Sequence, residues 1–201
     1  AENNRLRRLQ LGNRMWHTDS SFKYVPALAS LLYAREIPPV GGQTAFADLR
    51  AAYDALSDDM KSRIEGLVAE HSLVYSRERL GYTDWTESER KAVDAVPQTG
   101  RKNLFVASHA GYIVDMPDDE ARALIDELLA FASERRFQYN HRWRVNDLVM
   151  WDNRCSLHRG MPFDDLRFRR DVQRATVLDI ANSCEQEGVP VPHVMLREAA
   201  E

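Results

Sequence analysis

The chain has 201 residues, 44% hydrophobic and 29% charged, which suits one domain with a real core and excludes a biased or low-complexity polymer. A net charge of -4 and a pI near 5.9 argue against a nucleic-acid footprint, and no apolar run approaches the roughly 20 residues of a membrane-spanning helix. The polar, basic start is no secretory signal, and Cys155 and Cys184 make neither a disulfide framework nor a zinc cluster. A cytoplasmic protein acting on a small molecule, with no nucleic-acid or membrane partner, is therefore expected.

Residues 27–37 (ALASLLYAREI) form a strand-like apolar run, ended by Pro38-Pro39 and the Gly41-Gly42 turn. Asp48 suits the N-cap of a short helix reaching Leu56. Ser57 caps a second, with Asp58 and Asp59 in its first turn and Met60, Ile64, Leu67 and Val68 on one face. The stretch 86–89 has capping-box spacing, so a short helix is expected from Glu87. Residues 103–107 (NLFVA) read as a strand. Pro117 takes the first position of a helix in which Leu124, Ile125, Leu128 and Leu129 recur at helical spacing. Strand-like segments follow at 136–143, 147–152 and 174–180. Strands at both ends with helices between them give a mainly β, α+β chain. It reads as a single domain over 1–201, with a mostly helical insert at about 48–135 and a tail at about 185–201 that covers a surface or another subunit.

In an extended segment, residues i and i+2 point the same way, so His17 and Asp19 present an imidazole and a carboxylate on one face. A facial triad needs one more histidine from a distant strand, and His158, after a strand and the Asp152-Asn153 turn, is the best placed. The bland alternative is a surface turn with Asp19 as a helix cap. Arg170 and Arg174 are an even number of residues apart, so on a strand they share a face. A planar, always-charged guanidinium fork suits the terminal carboxylate of a dicarboxylic ligand, and the Thr44 hydroxyl can add to it. A solvated basic surface over 167–174 fits the spacing equally well. The clusters Arg5/Arg7/Arg8 and Arg167/Arg169/Arg170/Arg174 also suit an anionic small molecule.

Five stretches together resemble the taurine dioxygenase/2,4-dichlorophenoxyacetate dioxygenase family: WHTDSSF at 16–22, GGQTAFADLRAAYDAL at 41–56, HRW at 141–143, DLVMWDNRCSLHRG at 147–160 and RRDVQRATVLD at 169–179. HTDSSF, FADLRAAYDAL and the stretch 71–90 are most similar to the phenoxyacetate-cleaving branch. The resemblance implies a double-stranded β-helix, a cupin-like jelly-roll, with Fe(II) held by His17, Asp19 and His158. It implies Thr44 and Arg170 on the far carboxylate of 2-oxoglutarate, and Arg174 near the keto-acid carboxylate and the substrate anion. Asn13 and the backbone around Ser20-Ser21 fall where substrate contacts occur. His109 is a candidate anchor for a substrate carboxylate, with a packed structural histidine as the alternative, and Trp143 and Trp151 read as core aromatics framing the site.

The activity so implied is 2-oxoglutarate-dependent dioxygenation, consuming O2 and releasing succinate and CO2, with ascorbate as a stimulant. The substrate implied is a small anion, an aryloxyalkanoate whose hydroxylation cleaves the ether, as in the degradation of aromatic compounds. Taurine, an alkylsulfonate or an alkylsulfate is the alternative within the class, and a non-catalytic jelly-roll binding protein the alternative outside it. A zinc hydrolase leaves Thr44 and Arg170 without a task. A homo-oligomer is expected. Two departures stand out. Sixteen residues precede His17 where the family carries a longer leading segment, and Pro97-Gln98-Thr99-Gly100 stands where the family has a short extended segment. With every chemical position downstream intact, residues missing from this sequence are expected in both places, including an N-terminal part of the fold.

Overall fold

The computed structural model describes residues 11–81, 93–95, 102–186 and 188. The apolar run forms β1 (Ala27–Glu36), and β2 (Thr44–Asp48) follows after Gly41 and Gly42, at φ 81° and 70°. Asp48 accepts from the amides of Arg50 and Ala51 and so caps α1 (Leu49–Asp54); Ser57 accepts from Met60 and caps α2 (Asp58–Ile64). α2 is shorter than its apolar pattern suggested. Gly66 turns left-handed at φ 74°, the Leu67 amide bonds back to Ile64, and the Val68 carbonyl accepts from Val114 instead of a helical neighbour. The next elements are β3 (Ala69–Ser72), α3 (Leu73–Glu78), β4 (Val93–Ala95), β5 (Ala110–Ile113) and α4 (Asp118–Ala132). The expected helix from Glu87 and the Gln98-Thr99 stretch lie outside the described residues.

Two expectations need correction here. Residues 103–107 pair with no strand among the described residues. The Leu104 amide donates to Leu49 and the Ser108 amide to Trp16, while the Leu104 and Val106 side chains are buried, so the segment plugs the core rather than extending a ladder. A short apolar run fits either outcome, because periodicity alone does not say what its backbone will bond to. Pro117 is the N-cap of α4, one residue ahead of its expected place. Between 48 and 135 the chain also holds a small antiparallel sheet, β4-β3-β5, beside α1 to α4.

A 3-10 turn (Arg135–Phe137) leads into β6 (Gln138–His141), and β7 (Leu148–Asp152), β8 (Ser156–Gly160), β9 (Asp171–Leu178) and the short α5 (Ser183–Gln186) complete the described chain. β6 is shorter than the stretch 136–143, and β9 begins three residues before 174. The fold is mixed α/β with antiparallel sheets. One sheet has the order β7-β1-β9 and another β6-β2-β8. No helix among the described residues is long and apolar enough to cross a membrane.

Strand alternation gives the β6-β2-β8 sheet two working faces. Ala45, Ala47 and Leu157 point into a core with Leu49, Ala52, Leu124, Ile125 and Leu128, where each large side chain is worth about 1.5–3 kcal/mol of burial. α4 contributes Ala121, Leu124, Ile125, Leu128 and Ala132, the spacing of one helical stripe. Thr44, Phe46 and His158 take the opposite face. There Trp151 of β7 bridges the sheets, its ring 4.7 Å from that of His158 and 5.3 Å from that of Phe46. The candidate site lies on this inter-sheet side.

Candidate active site

His17 and His158 are brought together by the backbone. Each donates its amide to the other's carbonyl, at 3.0 and 2.8 Å, as an antiparallel bridge. Asp19, two residues on from His17, completes a buried group whose ligand atoms all lie within 4.8 Å of one another. His17 Nδ1 donates to the Met15 carbonyl at 2.8 Å, which fixes the tautomer and leaves Nε2 with a bare lone pair. Nε2 of His17 lies 3.9 Å from Asp19 Oδ1, and Nε2 of His158 lies 3.7 Å from Asp19 Oδ2. Those are too long for hydrogen bonds. Electron-pair donors facing one another across such gaps repel unless a cation sits between them, so this donor set fits a divalent metal. Burial lowers the pKa of both imidazoles below the usual 6.5, which keeps them in the neutral, ligating form; the Asp19 carboxylate opposes the shift at His17, and the His17 and Arg174 charges add to it at His158.

Asp19 is held by a network that the sequence did not reveal. Ser30 Oγ donates to Asp19 Oδ2 at 2.7 Å and accepts from Asn153 Nδ2 at 2.9 Å. Asn153 Oδ1 accepts from Trp151 Nε1 at 2.9 Å and from the Asp19 amide at 3.2 Å, while Thr18 Oγ1 donates to the Asn153 carbonyl at 2.7 Å. Ser30 is a polar residue in the apolar first part of β1, between Ala29 and Leu31, and is fully buried. A polar side chain at such a position is the one signal that could have found it. His158 Nδ1, by contrast, is buried with no hydrogen-bond partner among the described residues, so that ring is set by its strand and by packing against Phe46 and Trp151.

Thr44 and Arg170 do meet. Arg170 donates from NH2 to Thr44 Oγ1 at 3.2 Å and from Nε to the Gly42 carbonyl at 2.9 Å, and Trp143 Nε1 donates to the same Thr44 oxygen at 3.0 Å. Gly42 must be glycine on two counts: its φ is positive, and a Cβ would crowd Pro38 Cγ at 2.8 Å and Arg170 Cδ at 3.3 Å. Burial disfavours the Arg170 charge and lowers its pKa. Because Phe46 opposes His158 in the ladder and Thr44 lies two residues along, this anion-seeking pair sits roughly 6.6 Å along the strand from the metal ligands. Arg170, Asn13, Gly160, Met161 and Phe163 line a cavity of about 250 Å³.

A model of the Taurine catabolism dioxygenase TauD, TfdA family matches residues 1–176. The chain belongs to this family. It is 49% identical over 177 residues to an α-ketoglutarate-dependent 2,4-dichlorophenoxyacetate dioxygenase of Cupriavidus pinatubonensis, covering 84% of this chain and 61% of that protein. It is 40% identical to a (S)-phenoxypropionate/α-ketoglutarate dioxygenase of Sphingobium herbicidovorans, over 82% of this chain and 62% of that one. It thus spans about three fifths of the length of these curated relatives. Among solved structures it is similar to AAD-2 in complex with Mn(II) and N-oxalylglycine, at 46% identity and a TM-score of 0.81, covering 88% of this chain and 73% of the other. A taurine dioxygenase from Burkholderia xenovorans is more distant, at 28% identity and a TM-score of 0.70 over 85% of this chain and 59% of the other.

In this TauD, TfdA-family chain the other expected site residues scatter around the metal ligands. Arg174, largely exposed, donates from NH1 to Asp19 Oδ1 at 3.2 Å. Ser20 takes a left-handed φ of 56° in the turn after Asp19, and the Asn13 carbonyl accepts from the Gly160 amide at 2.7 Å. His109 is buried, its ring 6.0 Å from His17 and 5.2 Å from Phe22, with Nδ1 on Ser76 Oγ at 2.9 Å. His71, never singled out from the sequence, is fully buried and meets Ser21 Oγ at 3.0 Å, which ties the loop after Asp19 to β3.

Proposed function

We propose that this chain carries the Fe(II) and 2-oxoglutarate centre of a dioxygenase acting on a small aryloxyalkanoate, with residues 1–201 forming one jelly-roll domain of the double-stranded β-helix type. One observation carries the reading. A buried His-Asp-His donor set stands about two strand residues from a half-buried arginine whose hydrogen bonds go to a hydroxyl and a carbonyl, with no carboxylate among the described residues. That spacing suits a ligand with a metal-chelating head and a terminal carboxylate.

In this reading His17, Asp19 and His158 hold the metal, and Thr44 and Arg170 hold the far carboxylate of 2-oxoglutarate. Partial desolvation of Arg170 strengthens its charge-assisted bonds to that carboxylate. Bound iron supplies the oxidation of a C–H bond by O2, coupled to conversion of 2-oxoglutarate to succinate and CO2. The protein's task is orientation. Met15 fixes the His17 tautomer, Ser30 and Asn153 fix the Asp19 carboxylate, and Asn13, Ser20, His109 and Arg174 border the space left for substrate. Hydroxylation of a carbon beside an ether oxygen gives a hemiacetal, which collapses to break the ether.

The higher identity to the phenoxyalkanoate enzymes than to the taurine dioxygenase supports the aryloxyalkanoate choice. Succinate formation by the full-length protein, supplied in turn with a phenoxyacetate, taurine and an alkylsulfate, tests it. The phenoxyacetate is expected to give the largest kcat/KM, and His17→Ala to abolish turnover. Turnover of taurine alone replaces the substrate class. No succinate from any of them, with no iron-dependent binding of 2-oxoglutarate, leaves the non-catalytic jelly-roll.

A further inference from the structure

The proposed reaction brings two anionic ligands to one site, and Arg170 accounts for only one of them. A second half-buried arginine without a carboxylate partner among the described residues is Arg77, in the last turn of α3. Its Nε is buried with no hydrogen-bond partner among the described residues, and its NH1 reaches Ser76 Oγ only at 3.5 Å. Some arginines found acids, as Arg35 did Asp171, Arg79 Asp126 and Arg154 Asp152. Arg50 and Arg159 share the unpartnered Nε among the described residues, but Arg77 is the one of the three whose charge bears on His17 and His109. A guanidinium taken partly out of water and left unpaired costs stability until an anion meets it.

The surroundings hold Arg77 in place. A Cβ on Gly12 would overlap NH1 and Cζ of Arg77, so the guanidinium packs against the Gly12 backbone, in space that only glycine leaves open. Ser76 Oγ links it to His109 Nδ1, and the His109 ring lies 6.0 Å from that of the metal ligand His17. The Arg77 charge lowers the pKa of both histidines, as a cation within Coulombic reach must, although burial is the larger cause at each.

His109 is poorly suited to an anion. The Ser76 hydroxyl donates to the Leu73 carbonyl at 2.9 Å, so it accepts from His109 Nδ1, whose hydrogen is then not available to a ligand. Arg174 already serves Asp19. We propose that Arg77 is the substrate-binding residue that receives the anionic head group, with Gly12 as the position that admits its guanidinium and His109 held beside it through Ser76 Oγ. The inference rests on the reading above that the substrate is a small organic anion.

The test is calorimetric binding of phenoxyacetate and of neutral phenoxyacetamide to full-length protein loaded with iron(II) and 2-oxoglutarate, without oxygen. Arg77→Gln is expected to raise the Kd of phenoxyacetate by about 10- to 100-fold and to leave that of the amide within about twofold. Arg77→Lys is expected to recover part of the loss, since it keeps the charge but not the fork. Gly12→Ala, which adds no polar group, is expected to weaken the anion selectively by crowding the guanidinium. Equal loss of both ligands in Arg77→Gln, or no loss of either, overturns the assignment while the wild type still binds and turns over the anion. A wild type that binds neither phenoxyacetate, taurine nor an alkylsulfate overturns the substrate reading, and this assignment with it.

Discussion

Around Asp19 nearly every polar atom is already answered from within the protein: Ser30, Asn153, Trp151 and Thr18 form a closed set of bonds, and Arg174 takes the remaining carboxylate oxygen. Around Arg170 the protein supplies positioning but no ion-paired carboxylate among the described residues, the Asp165 that shares its cavity pairing with Arg14 instead. Thr44, Gly42 and Trp143 aim the guanidinium, yet no acid meets it among the described residues. On the proposed reading the Asp19 carboxylate is held from within the protein, the two imidazoles and that carboxylate still call for a cation between them, and the arginine end awaits a ligand. Mutations at the two ends should fail in different ways, one through stability and ligand geometry, the other through affinity alone.

Asn153→Ala breaks the metal end most severely. It removes the acceptor for Trp151 Nε1 and the Asp19 amide together with the donor to Ser30, and each buried group left unpaired costs about 1–3 kcal/mol. A loss of about 2–4 kcal/mol in urea unfolding is expected, with metal affinity down about 10- to 100-fold because the carboxylate loses its support. Equilibrium dialysis against Mn(II) reads the second effect. Unchanged stability would mean that the network is ornamental and that packing alone sets Asp19.

Arg170→Gln sharpens the other half of the comparison. Removing a partly desolvated, uncompensated cation should leave urea stability nearly unchanged, while the affinity for 2-oxoglutarate falls by about 10- to 100-fold and Mn(II) affinity stays put. Loss of stability as large as in the Asn153 variant would erase the distinction between the two ends.

Much of this contrast was legible before any fold was known, and the reason is chemical. Strand alternation makes His17 and Asp19 a possible pair and donor chemistry makes Arg170 and Thr44 possible anion contacts, but the resemblance to the family is what singles them out. Asp48 and Ser57, by contrast, declare themselves by local capping that needs no tertiary partner. What stayed hidden depends on who sits opposite. Ser30 and Asn153 are 123 residues apart and ordinary in isolation. The NLFVA segment looks like a strand until its Leu104 amide is seen to bond to Leu49 and the following Ser108 amide to Trp16. Arg77 looks like any helical arginine until the missing carboxylate and the Gly12 contact are on view. Local patterns mark residues able to do chemistry; only the pairing of distant strands says which of them are already satisfied.

The smallest effect concerns His71, the buried histidine that ties the loop after Asp19 to β3. Burial lowers its pKa from 6.5 to about 3. In the unfolded chain it takes up a proton as the pH falls through 6.5, whereas the folded protein resists until about pH 3, so the unfolded state binds more protons throughout that window. Stability is then complete above pH 6.5 and falls as the pH drops towards 3. For this one group the loss between about pH 7.5 and 5.5 is about 1.4 kcal/mol. His71→Gln keeps a polar partner for Ser21 but cannot be protonated, so its urea stability should depend less on pH by that amount, even if it is somewhat less stable at neutral pH. His17, His109 and His158 shift in the same direction and remain in the variant, so acid sensitivity should be reduced rather than abolished. An unchanged pH profile would show that water reaches His71 and that the metal end is wetter than its hydrogen bonds imply.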